Sequence, residues 1–200
     1  MDKDLQQLQK AIVNYYLTLE KIYCYCNNEI NKVKTGPLTS LKNQMEQLRH
    51  VTSPAVDTAE ICLIKGAREK LIFKINLGIE EELKLIVEAI NTLNNYTQEL
   101  KDKYHQLEQA RSKINFDDPT IINFVNGTSE RPRLNLLLEW SMESLEFYKN
   151  YYSDITASFK ALNIKDEASV DRLIDSFNSS SSKRIKKILA FTQYLNNKLR

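Results

Sequence analysis

Apolar residues recur every three or four positions through residues 131–162, which also contain the single tryptophan, Trp140. Pro132 stands near the start of this stretch, where a proline costs a helix no internal hydrogen bond. The pattern predicts one long α-helix whose apolar face packs on other helices. The predicted face consists of Leu134, Leu138, Met142, Leu145, Tyr148, Tyr152, Ile155, Phe159 and Leu162.

The same spacing predicts a first long helix over residues 5–33 and a shorter amphipathic helix over residues 38–51. Between them stand Thr35, Gly36 and Pro37, and we expect the first helix to end there, because glycine terminates helices and proline cannot continue one.

A further long helix is expected over residues 55–112, with Pro54 as its first residue. Its second half follows a heptad with one polar exception, which is typical of a coiled coil. The heptad positions are Ile79, Leu83, Ile86, Ile90, Leu93, Thr97, Leu100, Tyr104 and Leu107. Gly66 and Gly78 each weaken a helix by about 1 kcal/mol relative to alanine, so we expect a kink or a boundary near one of them.

Residues 115–130 carry the turn signals Pro119 and Asn126-Gly127, which predict a loop. The apolar run at residues 121–125 predicts that this loop docks on the bundle or on a partner. A short helix around residues 170–177, a serine-rich hinge and a last amphipathic helix are expected to complete the chain.

These elements predict an all-α fold, an elongated up-and-down helical bundle or coiled coil with long helices. We divide it into a long-helix region (1–114), a docked loop (115–131), the tryptophan helix with a short helix (132–178), and a hinge with a basic helix (179–200). Together they are expected to form one domain. A helix of about 50 residues spans about 75 Å, so it needs apolar cover along its whole length.

Composition supports this class, since only 4 Gly and 4 Pro occur among 200 residues. A net charge of +2 provides no global field for nucleic acid or an anionic membrane. The sequence shows no signal-peptide pattern and no membrane-spanning run, and three cysteines do not suggest a disulfide framework. We therefore expect an intracellular protein with free thiols.

Residues suited to catalysis are few, so an enzyme is not expected. His50 and His105 each stand alone in a polar setting, and no pattern of metal ligands or glycine-rich phosphate loop is present. We predict no catalytic residue, no metal and no cofactor.

Two groups of residues remain as candidates for binding. Lys183, Arg184, Lys186 and Lys187 suit contact with phosphate or RNA, but a solvated face of an amphipathic helix explains them as well. Tyr151 lies off the predicted apolar face and is a candidate partner-facing aromatic residue.

Two segments resemble one known family. The first contains Pro132, Leu138, Glu139, Trp140, Glu143, Tyr148, Lys149 and Tyr152. The second contains Leu38, Ser40, Leu41, Asn43, Glu46, Gln47 and Leu48. Order, spacing and chain length are similar to those of the AAA-ATPase-interacting ribosome maturation factor family, AIRIM, over about residues 5–177.

The resemblance implies a non-enzymatic adaptor subunit that joins a pair of type II AAA ATPases and a second small coiled-coil protein resembling a cyclin-dependent-kinase-interacting protein. It implies a role in large ribosomal subunit maturation through release of a shuttling factor, and in replication-linked protein turnover. The matching residues Glu139, Trp140, Tyr148, Lys149 and Tyr152 are then candidate protein-binding residues. Nuclear and cytoplasmic localisation is expected, without membrane or direct nucleic-acid binding.

Two other functions compete with this interpretation. The heptad suits a coiled-coil subunit of a kinetochore, tether or cytoskeletal assembly equally well. The basic run at residues 183–187 suits a helical nucleic-acid-binding protein.

Overall fold

The all-α class is confirmed in a computed structural model that describes residues 3–57, 64–116, 118–128, 131–178 and 182–195, where every regular element is helical. The α-helices are α1 (Lys3–Tyr25), α2 (Asn31–Val33), α3 (Thr39–Thr52), α4 (Ala67–Arg111), α5 (Ile122–Asn126), α6 (Leu134–Lys160), α7 (Glu167–Phe177) and α8 (Ser182–Thr192). Within these described ranges, no helix has the length and apolarity needed to cross a membrane.

The predicted end of the first helix at residues 35–37 is wrong. The chain stays helical from α1 into α3 through two π-helical turns, Cys26–Ile30 and Lys34–Leu38, and Pro37 lies inside the second turn. Proline in an α-helix clashes with the carbonyl group four residues earlier, and a wider π turn relieves such crowding. The carbonyl oxygen of Lys34 accepts a hydrogen bond from the Thr39 hydroxyl at 2.9 Å.

The second π turn also keeps the apolar face of this helix in phase. Ile30 and Leu38 are eight residues apart, and both are buried. One α turn of about 3.6 residues and one π turn of about 4.4 residues together take up about eight residues, so the two side chains lie above one another. In an uninterrupted α-helix, Leu38 would be rotated by about 80° from Ile30.

The helix predicted from residue 55 begins later than expected. Residues Pro54–Val56 form a 3₁₀ turn capped by the Ser53 hydroxyl, which accepts a hydrogen bond from the Ala55 amide at 3.3 Å. Residues 58–63 lie outside the described ranges. α4 starts directly after Gly66, whose φ of 77° is unfavourable for other residues, so the boundary expected near one of the two glycines lies at Gly66.

Most of the heptad of α4 is buried within this chain, while Leu83 and Tyr104 are half-buried. Its fully buried members are Ile79, Ile86, Leu93, Leu100 and Leu107. The polar exception, Thr97, is also buried, and its hydroxyl donates to the Leu93 carbonyl oxygen at 2.8 Å, so no polar group is left unpaired there. Apolar cover for these positions therefore comes from the protein's own helices.

The loop predicted around residues 115–130 contains the 3₁₀ turn Pro119–Ile121 and the short helix α5. Ile121 and Phe124 are buried. The Arg131 guanidinium lies 4.5 Å from the centre of the Phe124 ring, and its Nη2 donates to the Phe124 carbonyl oxygen at 3.0 Å. A cation over an aromatic face is stabilising, so this arginine fastens the loop to the start of α6.

The chain divides into two compact units. Unit 1 comprises Met1–Cys26, Leu93–Tyr152 and Ser179–Arg200, and unit 2 comprises Asn27–Thr92 and Ser153–Asn178. Within unit 2, two ion pairs join α3 to α7: Lys42 with Asp171 at 2.7 Å and Arg49 with Glu167 at 2.5 Å. The four-part division made from the sequence stays a prediction.

Two glycine substitutions should change stability in opposite directions. Gly66→Ala places a side chain at a φ of 77° and should lower the free energy of unfolding by about 1 kcal/mol or more. Gly36→Ala is the matched control, since no atom lies within 4 Å of the added Cβ and the site is helical; it should raise stability by about 0.5–1 kcal/mol. Urea unfolding of both variants measures the difference, and equal effects would contradict this assignment of the helix boundary.

Candidate protein-binding site

The buried face of α6 differs from the predicted one. In unit 1 it consists of Leu134, Leu137, Ser141, Ser144, Leu145, Tyr148 and Tyr151. Met142, which was predicted to be buried, is 55% exposed, whereas Ser141 and Ser144 are fully buried. The helix is therefore rotated so that two serines, and not Leu138 and Met142, lie at the centre of the contact.

Two tyrosines of α1 explain this rotation. The Tyr15 hydroxyl donates to the Ser141 carbonyl oxygen at 2.5 Å, and its oxygen lies 2.8 Å from Ser144 Oγ. The Tyr16 hydroxyl donates to the Leu137 carbonyl oxygen at 2.6 Å. Buried hydroxyl groups need such partners, and small serine side chains give the rings access to the backbone of α6.

Tyr151 is buried, so the prediction that it lies off the apolar face is wrong. Position 151 continues the line formed by residues 141, 144 and 148, and the Tyr151 ring stacks on Phe147 with the ring centres 6.1 Å apart. Tyr152, which was predicted to lie on the apolar face, is half-buried instead. Burial raises the pKa of the hydroxyl groups of Tyr15, Tyr16, Tyr148 and Tyr151.

A second face of α6 contacts α8. The Trp140 and Phe191 rings lie 5.8 Å apart between centres. One turn further along α6, the Glu143 carboxylate accepts two hydrogen bonds from the Arg184 guanidinium, at 2.8 and 2.9 Å. Trp140 thus helps to hold the last helix against α6.

The basic residues of the last helix are exposed, and one of them takes part in these contacts. Arg184 pairs with Glu143, while Ile185 and Ile188 on the same helix are buried, and α8 contacts α1. The side chains of Lys183, Arg184, Lys186 and Lys187 are all exposed. The arrangement is that of an amphipathic helix whose apolar side is packed. The four basic residues stay candidates for phosphate contact, and Arg184 is also paired with Glu143.

A third face of α6 is exposed to solvent. Glu139, Met142, Glu146 and Lys149 follow one another at steps of three and four residues, so they lie along one side of the helix. We call these four residues the solvent-facing stripe. It contains two residues of the longer motif, Glu139 and Lys149, on either side of the exposed Met142.

The shorter motif is also divided between core and surface. In unit 2, Leu38 and Leu41 are fully buried, and the Ser40 hydroxyl donates to the Glu82 carboxylate at 2.7 Å, which connects α3 to α4. Leu48 is half-buried. The exposed members are Asn43, Glu46 and Gln47.

Part of this motif lines a groove of about 690 Å³ in unit 2. Its apolar walls come from Met45, Leu48, Ile72, Ile164 and Val170. Charged residues at its edge include Lys42 and Arg49, and both are held by the ion pairs with α7 described above.

Sequence reasoning missed the contact between the two adjacent tyrosines of α1 and the two serines of α6. Tyr16 lies outside the apolar repeat of the first helix, and the hydropathy of the two serines indicates exposed positions. The available signal was the three-residue spacing of Ser141 and Ser144, which places two small side chains on one face of an otherwise bulky helix.

A family model described as "CA109-like: Ribosome biogenesis protein C1orf109-like" matches residues 6–193. Because the match covers nearly all of the 200 residues, the chain belongs to this family of ribosome biogenesis proteins. This is the AIRIM family, so the resemblance drawn from the two motif segments is confirmed. The search of curated proteins gave no match, and neither did the search of solved structures.

The buried tyrosines predict a loss of stability at alkaline pH. Their pKa values are raised in the folded state, so the native protein keeps protons that the unfolded chain loses above about pH 10. The contribution of these tyrosines to the free energy of unfolding should be constant below this pH and fall as the pH rises further.

Urea unfolding at a series of pH values between 8 and about 12 measures this loss. Tyr148→Phe should make the decline less steep, by up to about 1.4 kcal/mol per pH unit, because it removes one buried ionisable group. Tyr194→Phe is the matched control at an exposed side chain. A decline that is the same in the wild type and Tyr148→Phe would contradict the role given to this hydroxyl.

Proposed function

We propose that this chain is a non-enzymatic adaptor subunit of a type II AAA ATPase complex that acts in maturation of the large ribosomal subunit, with a further role in replication-linked protein turnover. The observation that carries the proposal is the family match over residues 6–193, which gives a ribosome biogenesis family. In this complex the ATPase pair performs the nucleotide chemistry and releases a shuttling factor. A second small coiled-coil protein is the other partner, and the complex works in nucleus and cytoplasm.

The division of the longer motif between faces of α6 supports a specific contact surface for the ATPase pair. Tyr148 belongs to the core, and Trp140 is engaged with Phe191. Glu139 and Lys149 are exposed, and no ion pair involves either one in the described part of the chain. Protein–protein interfaces often have apolar side chains at the centre and charged side chains at the rim. In the solvent-facing stripe, the exposed Met142 lies between Glu139 and Lys149 and therefore has the central position.

The adaptor proposal is tested first by affinity purification of the tagged chain from its own cells, followed by mass spectrometry. Recovery of a paired type II AAA ATPase together with one small helical protein is expected. Recovery of kinetochore, tether or cytoskeletal subunits without the ATPase would overturn the proposal and leave a coiled-coil subunit of another assembly.

The contact surface is tested with a charge-exchanged variant, Glu139→Lys with Lys149→Glu. We expect at least a tenfold loss of ATPase recovery, because two rim charges are reversed, with the free energy of unfolding changed by less than about 0.5 kcal/mol, as is usual for exposed sites. Introducing Met142→Glu should have a similar effect by placing a charge at the centre of the stripe.

Lys10→Glu with Glu20→Lys is the matched control, since both residues are exposed on α1 of the same unit, the same distance apart in sequence, and the net charge is again unchanged. ATPase recovery that is equal for the stripe variant and this control would reject the solvent-facing stripe as the contact surface. Such a result would not contradict the adaptor proposal, which the purification experiment tests separately.

A further inference from the structure

Four large apolar side chains of unit 2 are exposed in the first half of α4 and just before it. Ile64, Phe73, Leu77 and Leu85 are 64%, 69%, 47% and 48% exposed. Phe73 and Leu77 are one helical turn apart, so their side chains are neighbours. A pair of large apolar side chains with this exposure marks a surface that another chain can cover.

This pair lies on the opposite side of α4 from its buried face. Ile75 and Ile79 pack into the core of unit 2, while Lys70, Phe73, Leu77 and Glu80 are all exposed. These four residues follow one another at steps of three, four and three, which is the spacing of the seam of a two-helix coiled coil. We call them the outer seam of α4.

The charges of the outer seam are complementary to those of a second copy that runs in the opposite direction. It reads basic, apolar, apolar, acidic from Lys70 to Glu80. In an antiparallel pair with a second copy, Lys70 faces Glu80 of the second copy and Phe73 faces Leu77 of the second copy. Two-fold symmetry forms each of these contacts twice.

The charges themselves favour this orientation. Neither Lys70 nor Glu80 makes an ion pair within the described ranges, so both are available to a second chain. A parallel pair would place Lys70 against Lys70 and Glu80 against Glu80, and such like-charge contacts are unfavourable.

We propose that the chain associates with a second copy of itself through the outer seam of α4, in an antiparallel pair on a two-fold axis that passes between Phe73 and Leu77. The contact is short, with two apolar layers closed at each end by a Lys70–Glu80 layer. Interfaces of this size are transient, so we expect a dissociation constant on the order of 100 µM.

Sedimentation equilibrium of the full chain at concentrations from about 10 to 300 µM tests this proposal, since the range brackets the expected constant. Lys70→Glu and Glu80→Lys should each weaken the dimer at least tenfold, because each reversal creates two like-charge contacts. The double variant Lys70→Glu with Glu80→Lys should dimerise as the wild type does. An equimolar mixture of the two single variants should also dimerise, because opposite charges then face each other in both layers.

Lys10→Glu with Glu20→Lys, again exposed residues of opposite charge, is the matched control and should leave the dimer unchanged. Phe73→Gln should abolish association while circular dichroism and urea unfolding stay as in the wild type, since the side chain is 69% exposed.

A wild-type chain that is monomeric throughout the concentration range overturns the proposal, and the outer seam is then a surface for a different protein. A dimer that is insensitive to the single reversals, or that the double variant does not restore, also overturns it, because the two copies then meet elsewhere or in another orientation.

Discussion

Two phenol hydroxyl groups fix how the helices of unit 1 meet. Tyr15 and Tyr16 of α1 donate to backbone carbonyl oxygens of Ser141 and Leu137, so the tyrosines bind the body of α6 and not only its side chains. This approach is possible because Ser141 and Ser144 are small, and a larger residue at either position would separate the helices. A buried hydroxyl without a partner is costly, so these hydrogen bonds allow one rotation of α6 and exclude others.

Because of this rotation, the motif residues of α6 lie in different environments. Tyr148 enters the core, Trp140 turns toward Phe191 on α8, and Glu139 and Lys149 turn to solvent. The motif is therefore not one continuous site. Substitutions at Tyr148 are expected to act through folding, whereas substitutions at Glu139 or Lys149 act at the surface, where the proposed partner contact lies.

The helical class and the heptad of α4 were predictable, because apolar repeats of three and four residues report directly on burial in long helices. The rotation of α6 was not predictable, since hydropathy ranks Leu138 and Met142 above Ser141 and Ser144 as core residues. The tyrosines that reverse this ranking are more than a hundred residues away in sequence. The predicted helix end at Pro37 was wrong because only an α-helical turn excludes proline. A wider π turn accommodates the proline ring, so the chain stays helical.

The π turn at Lys34–Leu38 also affects how sequences of this family are to be aligned. The turn holds one residue more than an α turn, and that residue is what keeps Leu38 in line with Ile30. A relative that lacks Pro37 no longer needs the wider turn and can lose one residue here without moving its core. In such relatives we expect a single-residue gap at residues 34–38 together with loss of the proline. An alignment that places this gap elsewhere would misalign the buried positions of α3.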